Sequence, residues 1–432
     1  MSRGVALEMW GGVECTVTRV RESFRNQLAM SGHDRRLSDL DLFAGLGLER
    51  IRYPVLWELV APDHPDECAW SWPDERLRRL RELNLPPIVG LLHHGTGPRY
   101  TNLLDPDFPT LFGRYARRVA ERYPWVDHYT PVNEPLTTAR FACLYGHWHP
   151  HARSEAEFLQ ALMNEIKAAV LAMQAIRSVN PRAQLVATDD LGWTCASKSL
   201  QYQADYENER RWLGWDLLSG LVDTHHPWHA SLRAAGVSGS DLDWLRDNAC
   251  VPDVIGINHY VTSDRMLHED WQRFPENTWG GNGRHRYADT EAVRVLDDYV
   301  PGFERTLICA WERYQRPVAL TEVHLGGDVD ACARWLNQAW TAAKSVQRAG
   351  VCVTAITSWA LLGSYDWNTL LTREEGCYEA GAFDAKDGIP RPTRVARCIQ
   401  HLAQFAEHHP DPVPAGWWED RSRITVPLEA NA

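Results

Sequence analysis

Two hydrophobic rhythms alternate along the chain. Short runs that are apolar throughout, or apolar at every second position, predict strands at Val5–Trp10, Glu49–Val55, Pro87–His93, Val126–Asn133, Gln184–Thr188, Asp253–Asn258, Pro317–Glu322 and Thr354–Leu361. Longer stretches of helical period predict helices at Asp34–Leu46, Asp74–Leu83, Pro106–Tyr123, Glu155–Val179, Glu207–Leu221, Val293–Tyr314, Val329–Arg348 and Thr393–Glu407. Eight strands, each followed by helix, predict an α/β fold: one (β/α)8 barrel domain over residues 1–432, with extended loops. There is no internal repeat, low-complexity tract or interdomain linker. Asn277–Asp289, rich in Gly, Asn and Arg, reads as a long loop after the sixth strand, and long loops on barrels are usually functional. The Pro-rich tail over residues 410–432 is expected to wrap the outside of the barrel.

Composition narrows the class. The chain has 432 residues, 44% of them hydrophobic and 24% charged, which is ordinary for a globular protein. A net charge of −12 argues against nucleic acid and anionic membrane as partners. Ten cysteines without CxxC spacing are no disulfide framework and read as mostly buried thiols. The start, MSRGVALEMW, has no apolar core of a signal peptide, so the expectation is a cytoplasmic protein. The twenty tryptophans suit either a core or sugar-stacking surfaces.

In a barrel, chemistry gathers at the C-terminal ends of the strands. Those ends here are polar or aromatic: Trp10-Gly11-Gly12-Val13-Glu14, Arg52, His93-His94, Asn133-Glu134, Asp189-Asp190, Asn258-His259-Tyr260, Glu322 with His324, and Trp359 with Asp366-Trp367. Glu134 and Glu322 stand on strands four and seven. Two carboxyls in one pocket can divide labour: one protonates a leaving oxygen and the other attacks carbon. That is the retaining route for a glycosidic bond, and it wants the pair about 5–5.5 Å apart. Arg52 is the candidate cation for keeping the attacking carboxylate ionised. Asn133 can donate to a sugar 2-hydroxyl, while His93, Asn258, Tyr260, Trp359 and Asp366 would hold hydroxyls or stack. The substrate is therefore expected to be a small glycoside or an oligosaccharide.

These motifs, in this order, resemble family 1 glycoside hydrolases. TPVNEP is similar to that family's acid/base motif, which implies that Glu134 is the acid/base. ALTEVH stands at the Thr-Glu-Asn-Gly position, which implies that Glu322 is the nucleophile. IRYPVLW resembles the strand carrying the Arg beside it, Arg52. GLLHH, GINHY and SWALLGSYDW resemble the segments that hold hydroxyls, implying roles for His93, for Asn258 and Tyr260, and for Trp359, Asp366 and Trp367. The departures are specific. Val323-His324 replaces Asn-Gly after the nucleophile. His94 stands where a Trp is expected, Asp366 where a Glu is, and Glu14 is the nearest counterpart of a hydroxyl-binding Gln. The resemblance thus implies a retained catalytic pair with a rewritten grip on the glycone, hence a substituted or unusual sugar. The alternatives are transglycosylation at the same site and a barrel that binds sugar without cutting it.

Three other readings are weaker. His147, His149 and His151, and likewise His225, His226 and His229, invite a metal. However, metal-dependent barrels place His-X-His at strand one, where this chain has Trp-Gly-Gly-Val-Glu, so no metal is expected. Gly45-Leu46-Gly47 reads as a helix C-cap, and Gly280-Gly281-Asn282-Gly283 lacks the residues of a phosphate-binding loop, so no nucleotide cofactor is expected either. Asp189-Asp190 is expected to be structural, and Glu207–Arg211 to be a solvated helix face.

Overall fold

The computed structural model describes residues 6–405 and 415–427. Eight parallel strands close a barrel: β1 (Glu8–Gly12), β2 (Arg50–Pro54), β3 (Pro87–His93), β4 (His128–Asn133), β5 (Gln184–Asp190), β6 (Val254–His259), β7 (Val318–Val323) and β8 (Val353–Ser358). Each pairs with its sequence neighbour, and β1 joins β8 to complete the ring. All eight expected strands form, with shifts of a few residues at their ends. Val5, at the start of the first, lies outside the described residues.

The strands bury both faces, as parallel strands must when helices cover the outside. Inside the barrel, Trp10, Ile88, Val186, Val254, Ala319 and Ala355 form one cluster. The opposite faces, with Met9, Ile51, Val89, Leu185, Ile257, Leu320 and Ile356, join a continuous core beneath the helices. Helix Glu155–Val179 has the expected bounds. Ser154 caps it by accepting from the Glu157 N–H at 3.2 Å. It packs on helix Phe108–Arg122, where Gly113 permits close approach: a Cβ there would lie 3.1 Å from Leu171. Part of the tryptophan content is explained here, since Trp57, Trp148, Trp335, Trp340 and Trp418 are fully buried.

Three expectations need correction. Asn277–Asp289 is not a plain loop. Trp279–Gly281 and Arg286–Glu291 pair antiparallel within a four-stranded sheet on the loops after β5 and β6. The reversal is made by Asn282, whose side-chain oxygen accepts from the N–H groups of Arg284 and His285. Glu207–Arg211 is not a solvated face, because Asn208, Arg210 and Arg211 are buried. The expected helix Val293–Tyr314 forms only from Phe303.

The tail is described from residue 415; its beginning, 410–414, lies outside the described residues. Trp418 is buried edge-on against Trp335 on helix Val329–Arg348, and Glu419 pairs with Arg334 at 2.8 Å. No helix among the described residues is long and apolar enough to cross a membrane.

Candidate active site

The strand ends set the geometry. β4 stops at Asn133, and Glu134 takes a left-handed backbone with φ 47°. Pro135 then opens a short helix, its fixed φ and missing N–H suiting the first helical position. A left-handed conformation costs a non-glycine residue roughly 1–2 kcal/mol. The neighbouring strand β5 holds it: the Glu134 N–H donates to Thr188 O at 3.0 Å, and the Leu136 N–H to Asp189 Oδ2 at 3.0 Å. His94 beyond β3 (φ 50°) and Asp366 beyond β8 (φ 56°) share this backbone. Strained positions thus gather at the barrel mouth, as they commonly do at functional sites.

One hydrogen-bonded network joins the carboxyls. Arg52 on β2 donates to Glu322 Oε1 at 2.8 Å, to Thr321 O at 2.8 Å and to Asn133 Oδ1 at 2.6 Å. Tyr260 Oη donates to the other Glu322 oxygen. Asn258 on β6 donates to Glu134 Oε1 at 2.5 Å, and its own carbonyl accepts from Thr321 Oγ1 at 2.8 Å. Thr188 Oγ1 donates to Asn133 Oδ1 at 2.8 Å. The register explains these meetings: Asn133 lies beside Thr188 and His93, and Asn258 beside Glu322 and Asp190.

Both carboxyls are shut away from water, Glu134 at 4% exposure and Glu322 at 2%. Burial pushes Glu134 well above the usual carboxylate range, and the charges of Glu322, Asp190 and Asp189 push it further. Burial also raises Glu322, but Arg52 and the Tyr260 hydroxyl pull it back to about 7. The two groups therefore differ in kind: one faces other carboxylates, the other a guanidinium and a phenol. That asymmetry separates a proton donor from an anion.

Aromatic rings line the rest. Trp359 stacks on His93 (5.2 Å, 11°), and the Arg52 guanidinium carbon lies 4.7 Å from the Trp359 ring centre. The indole occupies the space a side chain at position 12 would need, since a Cβ on Gly12 would fall 2.3 Å from its ring. His94 contacts Trp148 and Trp367 at 5.5 Å each, and its Nδ1 meets Thr138 Oγ1 at 3.0 Å. Burial holds His93 well below its ordinary value and His94 at about 3, with the Arg52 charge adding to both, so the imidazoles are neutral. The Trp367 indole N–H is buried without a partner among the described residues.

Two expected ligands of hydroxyls are engaged by the protein. Glu14 accepts from the Thr16 N–H at 2.9 Å and from the Trp359 indole N–H at 3.2 Å. Asp366 Oδ1 accepts from the N–H groups of Glu375 and Cys377 at 3.2 and 2.8 Å, closing the loop after β8. Asp189 and Asp190 serve the fold, and their charges also act on Glu134. Asp189 caps the turn after Glu134, while Asp190 takes Arg211 and the Ser263 hydroxyl. Sequence reasoning passed over Thr188, Thr321 and Ser263, because small hydroxyl residues in strands and loops carry no signal of their own, and it read Arg211 as a solvated charge.

Two of the histidines from the clusters, His151 and His226, already have partners. His151 accepts from the Arg21 N–H through Nε2 and meets Gly146 O through Nδ1. Glu209, Asp216 and His226 converge with a spacing a cation could use, but Arg313 already sits there, 3.0 Å from Glu209 and 2.7 Å from Asp216.

A closed (β/α)8 barrel with two buried glutamates at the ends of β4 and β7 defines a class of glycoside-cleaving barrels. The sequence profile of glycosyl hydrolase family 1 matches residues 4–378, and the chain belongs to that family. Among its relatives, the phospho-cellobiase of Klebsiella oxytoca is 24% identical over 356 residues, 77% of this chain and 76% of that one. Beta-glucosidase 42 of Arabidopsis thaliana is 22% identical over 422 residues, 86% and 83% of the two chains. The family 1 β-glucosidase of Thermotoga maritima superposes with a TM-score of 0.73 at 14% identity, covering 94% of this chain and 98% of that one. This protein is a glycoside hydrolase of β-glucosidase-like type.

Proposed function

We propose that the protein is a retaining β-glycosidase acting on a substituted or unusual glycone within a single catalytic domain. The observation that carries the mechanism is the asymmetry of the pair, with Glu322 held by Arg52 and Tyr260 and Glu134 facing carboxylates and one amide. Glu134 gives its proton to the glycosidic oxygen while the Glu322 carboxylate attacks C1, and the C1–O bond breaks with its electron pair going to the aglycone. Water then attacks C1 of the glycosyl ester, Glu134 takes the water's proton, and Glu322 leaves as carboxylate. Asn133, oriented by Arg52 and Thr188, faces His93 and His94 with its amide at 3.5 Å from each ring, and that amide is the donor for the sugar 2-hydroxyl.

The unpartnered Trp367 indole N–H supports a hydroxyl subsite beside His94. Asn258 and Tyr260 position the two carboxyls as well as facing the sugar. Glu14 and Asp366 keep lone pairs for hydroxyls, but their first duty is to Trp359 and to the loop after β8. Gly12 offers no side chain, and Trp359 fills its space, so the grip on the glycone differs from one built on a Gln and a Glu. The curated relatives carry names for both phosphorylated and plain glucosides, which is consistent with a glycone set by this variable shell.

The test is a panel of aryl glycosides varying sugar and anomer, run on wild type, Glu134→Gln and Glu322→Gln. Turnover of a β-glycoside lost in both variants is expected. Fast hydrolysis of simple β-glucosides would defeat the unusual-glycone reading. Turnover that survives both substitutions would defeat the mechanism.

A further inference from the structure

The chain segment beyond Glu134 carries a cation that makes no ion pair with a carboxylate among the described residues. Arg140 opens the turn Arg140–Leu144, six residues past Glu134. It donates to Tyr145 Oη at 2.9 Å, its guanidinium carbon lies 5.5 Å from that ring centre, and its Nε is buried without a partner among the described residues. Arg210, at the end of helix Gln201–Arg210, is buried with its guanidinium carbon 5.5 Å from the Tyr206 ring centre. Among the described residues neither guanidinium has a carboxylate within ion-pair distance, whereas the next residue, Arg211, takes Asp190 at 3.0 Å.

Both cations act on Tyr145. Burial would raise its phenol, but Arg140 and then Arg210 outweigh burial and draw it below its ordinary value. The acids facing this group are already engaged. Glu207 accepts from Gln203 and Thr194, and Asp190 from Arg211 and Ser263. Glu207 and Asp190 act on Arg140 from beyond ion-pair distance, so Arg140 and Arg210 are left without a paired counter-ion among the described residues, in a chain whose net charge is −12. A sheltered cation without a counter-ion is costly, and a ligand can supply what the fold does not.

A general acid must touch the oxygen of the leaving group, so the segment that carries it borders whatever that oxygen is attached to. We propose that Arg140, Arg210 and Tyr145 form a subsite for an anionic aglycone, one bearing a carboxylate or a phosphate. Guanidinium groups match the forked geometry of both anions. The Tyr145 hydroxyl accepts from Arg140, which leaves its proton to donate to the anion. The inference rests on Glu134 being the acid proposed above.

The test pairs two glycosides of the sugar that the aryl panel selects, one of 4-nitrophenol and one of 4-hydroxy-3-nitrobenzoate. Wild type is expected to prefer the carboxylate-bearing glycoside about tenfold in kcat/KM, and Arg140→Gln and Arg210→Gln each to remove most of that preference. Arg140→Lys should keep part of it. Thermal melts confirm that the variants are folded, and Tyr145→Phe carries the test if Arg210→Gln is not. Equal handling of both glycosides by wild type and variants overturns the subsite and leaves the activity standing. If neither glycoside is cleaved, the activity reading has failed, and calorimetric titration with phenyl phosphate and with benzoate decides the subsite alone. Binding that weakens in the Gln variants supports it, the tighter of the two probes naming the anion; no binding of either overturns it.

Discussion

Arg52 and Glu322 meet at 2.8 Å across the barrel mouth although 270 positions separate them in the chain. The same guanidinium holds Asn133, the residue before Glu134, so one cation fixes both halves of the site. Arg52→Gln should lower kcat/KM on the best aryl glycoside roughly 10²–10³-fold, because the attacking carboxylate loses its counter-charge and Asn133 its orientation. Steady-state kinetics on folded variant measures this; a loss under threefold would remove Arg52 from the account.

The pH profile should report the two carboxyls separately. Glu322 must be ionised to attack, and its carboxyl stands at about 7. So kcat/KM should rise as pH climbs through 7, then fall only at the higher pH where Glu134 gives up its proton. Tyr260→Phe removes a donor that favours the ionised Glu322, so its pKa should rise and the acid limb move to higher pH. A wild-type acid limb below pH 5, or no movement in the variant, would contradict this assignment.

Gly12 and Trp359 are one steric unit. A methyl group at position 12 meets the indole 2.3 Å away, and that ring is pinned between His93, Arg52 and Glu14. Gly12→Ala should cost about 1–3 kcal/mol of stability and impair turnover together. Thermal melts and kinetics on the same preparation check the pairing of the two losses. Gly12→Ala with wild-type Tm and wild-type kcat would show that the ring is free to move.

Glu58, buried behind the turn Gly95–Gly97, has one oxygen on the Gly97 N–H and the other without a partner among the described residues. Burial raises its carboxyl from 4.5 to about 8. The folded state therefore binds a proton that the unfolded chain releases, and stability present below pH 4.5 is lost as pH rises toward 8. The span corresponds to roughly 5 kcal/mol at most. Glu58→Gln should melt near wild type at pH 4.5 and progressively above it as pH approaches 8. A gap between the two Tm values that stays constant across this range would refute the assignment.

The barrel was legible in the sequence because its strands are apolar on both faces and its helices on one, so that Pro87–His93 and Glu155–Val179 read correctly to the residue. The catalytic candidates were legible because strand ends expose chemistry, and Glu134 and Glu322 are carboxylates at the ends of otherwise apolar runs. The hairpin over 279–291 was hidden by Gly280, Gly281 and Gly283, which erase alternation. Arg211 read as a surface charge because sequence does not reveal an acid brought close by the fold, such as Asp190, and Arg210 because sequence does not reveal its burial beside the Tyr206 ring. Glu14 and Asp366 read as sugar ligands, yet their hydrogen bonds to Trp359 and to the loop after β8 depend on packing that no local pattern encodes.

The central claim is that Glu322 attacks and Glu134 donates. The most direct measurement is mass spectrometry of the protein after reaction with a 2-deoxy-2-fluoro glycosyl fluoride of the sugar that the panel selects. The fluorine slows both steps and the good leaving group restores the first, so the glycosyl ester should accumulate. The account predicts one added glycosyl unit, mapped to the peptide containing Glu322, and none in Glu322→Gln. An adduct on any other residue would contradict it, as would steady turnover without any adduct.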